Sequence, residues 1–505
     1  MLFNSIEYML FFPVVLLIYY CIPGKTRLYF LLVCSYLFYM GWNASYSLLL
    51  FFCTAVTFII GLLIGRAQKK NPPAAEDTGE SEGPRKKPGK VWVIIGVVIN
   101  LAILFFFKYF LFTVSNINVI LKIFGKQTIS PRFEVLLPVG ISFYIFQALS
   151  YIFDVYNSKV RVEKNFFKYA VFVSFFPQLV AGPIERSSNL LCQYDEPKPF
   201  KLRNLTGGFI KMIWGFFLKI VIADRAALLV NQVFNFHAYY SGFESIIAMA
   251  MFGLQIYGDF AGYSWIAIGS AQALGFKLSN NFRQPYFAVS VPDFWRRWHI
   301  SLSSWFRDYL YIPLGGNRKG TFRKYLNILI VFTCSGMWHG AAWTYIIWGL
   351  LHGVYQVIGG IISPALLWFE KKVHMRTESF SHHLLQIILT FIYVDVAWVF
   401  FRASSVSEAL DLLRSVFVYN PWIFVDGSLT AMGLSTNDWV ILLISICILI
   451  IVSIMCEKGI HPIHWLYQQE LWFRWGVCIA AILFILAVGI YGPGFNAASF
   501  IYFQF

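Results

Sequence analysis

Apolar stretches of membrane-spanning length recur along the whole chain and constrain its fold more than any other feature. The first runs from Tyr8 to Tyr20, and similar stretches follow to the C-terminal end. A helix needs about 20 mostly apolar residues to cross a bilayer. Hydrophobic residues make up 58% of the chain and charged residues only 13%, about half the charged share of a soluble protein. The sequence therefore predicts an all-α, polytopic membrane protein.

The apolar stretches predict about 10–12 transmembrane or re-entrant helices. The first stretch lacks a preceding basic region and a small-residue cleavage site, so it is interpreted as a retained helix rather than a signal peptide. Two further windows, 166–183 and 335–360, are expected to hold paired short helices or a re-entrant piece. The candidate spans are 6–22, 28–42, 46–65, 91–113, 135–156, 205–224, 244–275, 326–349, 384–401, 437–456 and 472–491.

Basic residues predict the orientation of these helices. The net charge is +15, and the bases lie mainly between apolar stretches, as in cytoplasmic loops that face anionic lipid. Membrane lipids rather than nucleic acid are the expected partners of most of them. The polar segment 66–90 is predicted to be a disordered cytoplasmic loop. Counting spans from it also puts Lys25, Arg27 and the basic cluster at 159–168 inside and the N-terminus outside, and the C-terminus is expected outside as well.

The segment 280–324 mixes aromatic and basic side chains and is predicted to be an amphipathic element at the membrane interface. Its bases are either topology markers or part of a site for an anionic ligand. Five of them are retained as candidates for such a site: Arg296, Arg297, Arg307, Arg318 and Lys319.

A histidine at membrane depth is the first candidate for chemistry. His339 stands in the apolar run from Cys334 to Trp343, and an ionisable residue at that depth usually marks a cavity or a functional site. A buried imidazole suits a general base that works near neutral pH. The alternative is a histidine that is hydrogen-bonded between helices. His299 is a candidate for orienting a substrate or assisting proton transfer, or else lies at headgroup level, whereas His352 is expected to be a packing residue.

Two carboxylates within apolar spans support a second class of function. Asp259 and Asp395 are each expected to pair with a buried base or to accept hydrogen bonds from Tyr or Trp. A proton relay through them and His339 would fit a proton-coupled transporter. The internal repeats that are common in transporters are not evident.

The chain carries no signature of a metal site or of a soluble enzyme. Its eight cysteines form no C-x-x-C pair and lie mostly in apolar runs, as expected of small buried side chains. The P-loop, H-E-x-x-H and G-x-S-x-G motifs are absent from the sequence. We therefore expect no metal and no bound cofactor.

An ordered set of motifs resembles the membrane-bound O-acyltransferase (MBOAT) superfamily, in particular its bacterial alginate O-acetyltransferase-like branch. The central match is DFWRRWHISLSSWFRDYLYIPLGGNRKG, followed by CSGMWHGAAWTYIIWGLLHG. Flanking matches are the N-terminal MLFNSIEYMLFFPVVLLIYY, FPQLVAGPIER, YGDFAGYS and VAWVFFRA. The resemblance covers nearly the whole chain, and its ordered motifs are far more specific than a lone W-H-G.

The resemblance implies a single membrane domain over 1–505, with a ring of helices around a central funnel. By position, His339 matches the catalytic histidine of the family. His299 matches a second polar position, where eukaryotic relatives commonly have Asn. The five bases named above would attract the phosphates of CoA. Tryptophans, backbone amides or His299 would assist the oxyanion or orient the donor.

The implied activity is the transfer of acetyl from cytoplasmic acetyl-CoA, the acyl-donor substrate, across a bacterial inner membrane to an extracellular or cell-envelope polysaccharide. A separate extracytoplasmic acetyltransferase is the expected partner. The alternative within the enzyme class is transfer of D-alanine or another acyl group, for example from a carrier protein to teichoic acid.

The aromatic C-terminal tail, 494–505, carries a further expectation. It resembles the F-I-Y-x-x-F tails of bacterial envelope-acylation systems, in which the tyrosine is proposed to carry the acyl group. Tyr502 would then be an acyl relay. The alternative is an aromatic belt at the membrane interface.

Overall fold

The computed structural model describes residues 1–70, 88–131, 136–180 and 182–491. Regular structure in these ranges is entirely helical, which confirms the all-α prediction. Within these described ranges, seven helices are long and apolar enough to cross a membrane, and two apolar helices are shorter. The described chain divides into two compact units. The first comprises residues 1–208 and 270–279, and the second comprises 209–269 and 280–491.

The first unit holds the N-terminal helices, the last of which continues into the second unit. Ser5 caps α1 by accepting a hydrogen bond from the Tyr8 amide at 3.3 Å. A π-helical turn joins α4 to α5, and the pair forms one long candidate span. The helices are α1 (Ile6–Cys21), α2 (Arg27–Met40), α3 (Ala44–Lys70), α4 (Lys90–Leu104), α5 (Phe110–Ile123), α6 (Ile141–Tyr156), α7 (Phe166–Ser174), α8 (Phe176–Leu179), α9 (Ser187–Leu190) and α10 (Leu202–Phe216).

Helix α3 continues through Lys70, so the first residues of the predicted 66–90 loop are helical. Residues 71–87 lie outside the described ranges. In the first unit, hydrogen bonds hold two of the segments that carry basic residues against neighbouring parts of the chain. Gln68 Nε2 donates to the Tyr156 carbonyl at 3.0 Å, and Arg27 Nη1 donates to the Lys198 carbonyl at 2.6 Å.

The window at 166–183 is a broken helix. Helix α7 ends at Ser174 and the short α8 follows, and both are buried. Gln147 on α6 donates to the Phe172 carbonyl at 2.5 Å and is also hydrogen-bonded to Gln178. Buried protein groups of this kind are what irregular backbone at membrane depth requires.

The second unit holds the remaining helices. A π-helical segment, Phe217–Ala223, joins α10 to the first of them. The helices are α11 (Asp224–Asn235), α12 (Phe243–Ala273), α13 (Val291–Arg297), α14 (Ile300–Phe306), α15 (Thr321–His339), α16 (Trp343–Lys372), α17 (Phe380–Arg402), α18 (Val406–Ser415), α19 (Ser428–Ala431), α20 (Thr436–Glu457), α21 (Pro462–Tyr467) and α22 (Leu471–Val488).

The predicted span at 326–349 is not one helix. Helix α15 ends at His339, and α16 begins four residues later and extends to Lys372. Gly340 between them is extended, with φ −162° and ψ 156°. A Cβ at Gly340 would lie 2.1 Å from the Tyr345 ring, so packing requires glycine here. This break falls within the window 335–360, which is expected to hold paired short helices or a re-entrant piece, although the apolar Gly-Ala-Ala run does not mark its exact position.

A buried ionic cluster braces α12 against the π-helical segment. Lys219 Nζ lies 2.8 Å from Asp224 Oδ1 and 2.6 Å from Asp259 Oδ1, and all three side chains are buried. This arrangement confirms that Asp259 pairs with a buried base. Asp395, the other intramembrane carboxylate, is buried on α17, where its Oδ1 would lie 3.0 Å from a Cβ added at Gly253.

Candidate active site

His339 is the last residue of α15, and its side chain is buried. Three aromatic rings surround its imidazole. The ring centroids of Trp338 and Trp348 each lie 4.9 Å away, and that of Phe401 lies 5.3 Å away. The rings come from α15, α16 and α17, so the packing of three helices fixes the position of the imidazole.

Helices α15 and α16 cross closely just before His339 because glycines face each other. A Cβ at Gly336 would lie 2.2 Å from the Tyr345 carbonyl oxygen. A Cβ at Gly349 would lie 2.3 Å from the Phe332 carbonyl oxygen and 2.9 Å from the Gly336 nitrogen. Small residues of this kind let helix backbones approach within a membrane. The crossing brings Trp348 alongside His339.

The structure brings His299 next to His339. Their ring centroids lie 6.4 Å apart, and the Trp338 ring lies 5.9 Å from the His299 ring. His299 immediately precedes α14 and is fully buried. Its Nδ1 lies 3.2 Å from Asn281 Oδ1. Burial lowers the pKa of His299 to about 3, so its ring is neutral at physiological pH.

His352 lies one further turn along α16 behind Trp348. Its ring centroid is 5.2 Å from that of Trp348, and its Nδ1 accepts a hydrogen bond from Trp295 Nε1 at 3.2 Å. His352 is fully buried and packs among aromatic rings. Because the indole of Trp348 separates it from His339, His352 belongs to the packing around the site.

A cavity of about 380 Å³ in the second unit is lined by Trp295, whose ring centroid lies 5.8 Å from that of Trp348. Arg296 and Arg307 line it, together with Ser335 on α15. Ser335 is one helical turn, about 6 Å, before His339. The cavity thus carries two guanidinium groups along its wall, and its lining includes the α15 residue one turn before the buried imidazole. Its other lining residues are Pro292, Ile300, Leu302, Ser303, Ser304, Phe306, Tyr311, Ile328, Val331, Phe332 and Gln356.

The five candidate bases separate into three groups. Arg296 and Arg307 line the cavity, and Arg307 also pairs with Asp308 at 2.8 Å. Arg297 is paired with two carboxylates, Asp293 at 2.9 Å and Glu457 at 2.5 Å.

Arg318 and Lys319 are exposed in the turn before α15. Of the five bases, Arg296 and Arg307 therefore have the clearest support for binding an anionic ligand.

Tyr502 lies outside the described residues, which end at residue 491.

Sequence reasoning missed three residues that shape the site: Asn281, Trp348 and Phe401. Asn281 and Phe401 are distant from His339 in the sequence and only the fold brings them close. Trp348 lies within the matched motif, nine residues after His339. Its Nε1 is buried with no hydrogen-bond partner among the residues the structure describes. An indole N–H in that position can donate to a substrate oxygen.

The site thus combines a buried imidazole beside a second histidine with a neighbouring cavity that two guanidinium groups line. The profile of the family MBOAT, membrane-bound O-acyltransferase, matches residues 91–406. The chain belongs to this family and is an acyltransferase embedded in a membrane by several helices.

Curated relatives share most of the length of the chain. The probable alginate O-acetylase AlgI of Pseudomonas putida is 38% identical over 423 residues, covering 84% of this chain and 81% of that protein. The peptidoglycan O-acetyltransferase of Helicobacter pylori is 32% identical over 551 aligned positions, covering 100% of this chain and 98% of the relative. The teichoic acid D-alanyltransferase of Bacillus subtilis is 27% identical over 279 residues, covering 53% and 69%.

Proposed function

We propose that this protein transfers acetyl from cytoplasmic acetyl-CoA to a hydroxyl group destined for an extracellular or cell-envelope polysaccharide. The observation that carries the proposal is that His339 is buried beside His299. His339 also lies one helical turn after Ser335, which lines the same cavity as Arg296 and Arg307. The names of the alginate and peptidoglycan relatives support acetyl as the acyl group and a polysaccharide as the acceptor.

The proposed reaction uses His339 as a general base. Its imidazole takes the proton of the acceptor hydroxyl as the oxygen attacks the thioester carbonyl. The C–S bond then breaks, the thiolate leaves, and it takes the proton back from the imidazolium. An N–H donor near the carbonyl oxygen would stabilise the oxyanion of the intermediate, and Trp348 Nε1 offers such a donor.

Arg296 and Arg307 would bind the phosphates of the donor. Guanidinium groups form charge-assisted hydrogen bonds to phosphate oxygens. The wall of the cavity from Ile328 to Ser335 follows two turns of α15, about 10 Å, and His339 lies one turn further. A donor with its phosphates at the two arginines would extend its thioester arm along this wall toward the imidazole.

A cytoplasmic donor side is supported by the exposed cations Arg318 and Lys319, which lie in the turn just before α15, because basic residues next to membrane spans are typical of the cytoplasmic side. We place the protein in a bacterial inner membrane with both termini outside. Acetyl-CoA added to sealed inside-out vesicles should then be consumed, whereas right-side-out vesicles should leave it intact. Equal consumption by both would contradict this orientation.

The activity is tested with the purified protein in nanodiscs and acetyl-CoA labelled in the acetyl group. Wild type should release free CoA and transfer label to an added oligosaccharide, and His339→Ala should do neither. His464→Gln changes an exposed histidine and should behave as wild type. Equal background rates in all three proteins would contradict acetyl-CoA as the donor.

D-alanyl transfer is the second candidate, because the Bacillus subtilis relative is a teichoic acid D-alanyltransferase. It predicts that a D-alanyl thioester of a carrier protein replaces acetyl-CoA in the same assay. Membership of an acyltransferase family sets the transporter alternative aside.

A further inference from the structure

The backbone at His299 has a conformation that residues other than glycine rarely adopt. Its φ is +43° and its ψ is 52°, in the left-handed region. Such residues cost free energy and persist where their surroundings impose them. The residues that contact His299 therefore hold it in this conformation and determine which hydrogen bonds its imidazole can form.

Asn281 holds the turn that contains His299. Its backbone carbonyl accepts a hydrogen bond from the Ile300 amide at 3.0 Å. Its side-chain Oδ1 accepts bonds from the Ser301 amide at 3.3 Å and from Ser301 Oγ at 2.8 Å. The same Oδ1 lies 3.2 Å from His299 Nδ1. Asn281 is buried as completely as His299, so water does not compete for these groups.

These bonds fix the position of the proton on the imidazole. A backbone N–H can only donate, so the atom of Asn281 that meets the Ser301 amide is the oxygen and not the nitrogen. An amide oxygen has no hydrogen to give, so Nδ1 of His299 must carry the proton in the bond between them. The neutral imidazole has one N–H, which leaves Nε2 as its basic nitrogen.

We propose that Asn281 is a positioning residue that holds His299 in the Nδ1–H tautomer, so that Nε2 accepts a hydrogen bond from the acceptor hydroxyl. The role in catalysis rests on the proposed function, whereas the tautomer does not. With Nε2 unprotonated, His299 orients the attacking hydroxyl next to His339 and cannot donate from that atom to the oxyanion. Of the roles that the sequence leaves open for His299, the unprotonated Nε2 therefore favours orientation of the substrate.

The tautomer is measured directly by ¹⁵N NMR of the detergent-solubilised protein labelled at histidine, with the His299 signals assigned by their loss in His299→Gln. A protonated Nδ1 and an unprotonated Nε2 are expected. In Asn281→Leu the signals should shift toward the opposite tautomer or an average of the two. An Nε2–H tautomer in wild type would overturn the proposal, whether or not the protein has acetyltransferase activity.

Steady-state kinetics distinguish a positioning role of Asn281 from a purely structural role. Asn281→Leu should raise the KM for the oligosaccharide acceptor about tenfold or more, while the KM for acetyl-CoA stays within about twofold. Asn281→Asp keeps an acceptor for Nδ1–H and should restore most of the lost kcat/KM. Asn281→Asp should also shift the acidic limb of the pH–activity profile to higher pH, because a carboxylate favours the charged form of a neighbouring imidazole.

Asn327→Leu is the matched control, since Asn327 is another fully buried asparagine, which donates to the Gly316 carbonyl at 2.9 Å. It should lower thermal stability and leave the acceptor KM unchanged. Equal losses in Asn281→Leu and Asn281→Asp, with no change in the pH profile, would show a purely structural role and overturn the proposal.

Discussion

The imidazole rings of His299 and His339 lie with their centroids 6.4 Å apart, although 40 residues separate them in the sequence. The gap is small enough for one hydroxyl group to lie within hydrogen-bonding reach of both rings. Both side chains are buried, so a substrate that enters between them exchanges water for protein groups of fixed position. That exchange is what makes positioned bases and donors effective in catalysis.

The cavity lined by Arg296 and Arg307 predicts that removing different positive charges has unequal effects on the KM for acetyl-CoA. Arg296→Gln and Arg307→Gln should each raise the KM for acetyl-CoA several-fold, because each removes a charge-assisted bond to phosphate at a partly solvated site. Arg318→Gln removes the same charge from an exposed turn and should leave that KM unchanged. Steady-state kinetics at saturating acceptor measure this. An equal rise in all three variants would indicate a general electrostatic effect instead of a phosphate site.

The crossing of α15 and α16 predicts opposite effects of two glycine substitutions. Gly336→Ala would place a Cβ 2.2 Å from the Tyr345 carbonyl oxygen and should destabilise the fold by about 1–3 kcal/mol. It should also lower activity, since His339 lies on the next turn. Gly359→Ala, further along α16, meets no atom within 4 Å and should be neutral or stabilising because alanine favours helix. Thermal unfolding in detergent distinguishes them, and equal melting temperatures would contradict the predicted close packing.

The ionic cluster around Lys219 predicts a large loss of stability when its cation is removed. Lys219→Met leaves the buried carboxylates of Asp224 and Asp259 without their cation and should cost about 3–5 kcal/mol. Arg414→Met breaks the exposed pair with Asp411 and should cost less than about 1 kcal/mol. Abundance in the membrane and melting temperature report both changes. Wild-type stability of Lys219→Met would contradict a structural role for the cluster.

The depressed pKa of His299 predicts a stability that depends on pH. In the unfolded chain the ring takes up a proton below its ordinary pKa of about 6.5, whereas in the folded protein it stays neutral down to about pH 3. The contribution of His299 is therefore present above pH 6.5 and is lost as the pH falls from about 6.5 to 3, by about 1 kcal/mol per unit between pH 6 and 4.

His299→Asn should accordingly show a smaller fall in melting temperature between pH 7 and pH 5 than wild type. His464→Asn, which changes an exposed histidine, should keep the wild-type slope. Parallel slopes in wild type and His299→Asn would mean that His299 is protonated in the folded protein near pH 6.

Hydropathy predicts most of the helices because membrane-spanning segments must satisfy their backbone groups internally. It predicts a break within 335–360 but does not locate the end of α15 at His339, since Gly340 is extended for a packing reason and the residues around it are apolar. His339 and His299 are identifiable from motifs. Trp348 and Phe401 lie within matched motifs and Asn281 lies outside them, but the place of all three beside the histidines depends on distances between helices that a single sequence does not encode. The five candidate bases also look alike in sequence, and only the structure separates Arg296 and Arg307, which line the cavity, from Arg297, which is paired with two carboxylates.

The C-terminal tail supports the last prediction, which rests on its resemblance to acyl-carrying tails. If Tyr502 relays acetyl to an extracytoplasmic transferase, Tyr502→Phe should abolish polymer acetylation in cells and leave protein abundance unchanged, because only the phenolic oxygen is lost. The purified wild-type protein should carry label on Tyr502 after incubation with acetyl-labelled acetyl-CoA. Tyr419→Phe, at an exposed tyrosine, is the control and should acetylate polymer normally. Normal acetylation in Tyr502→Phe would instead mean that acetyl reaches the acceptor directly from the site between His299 and His339.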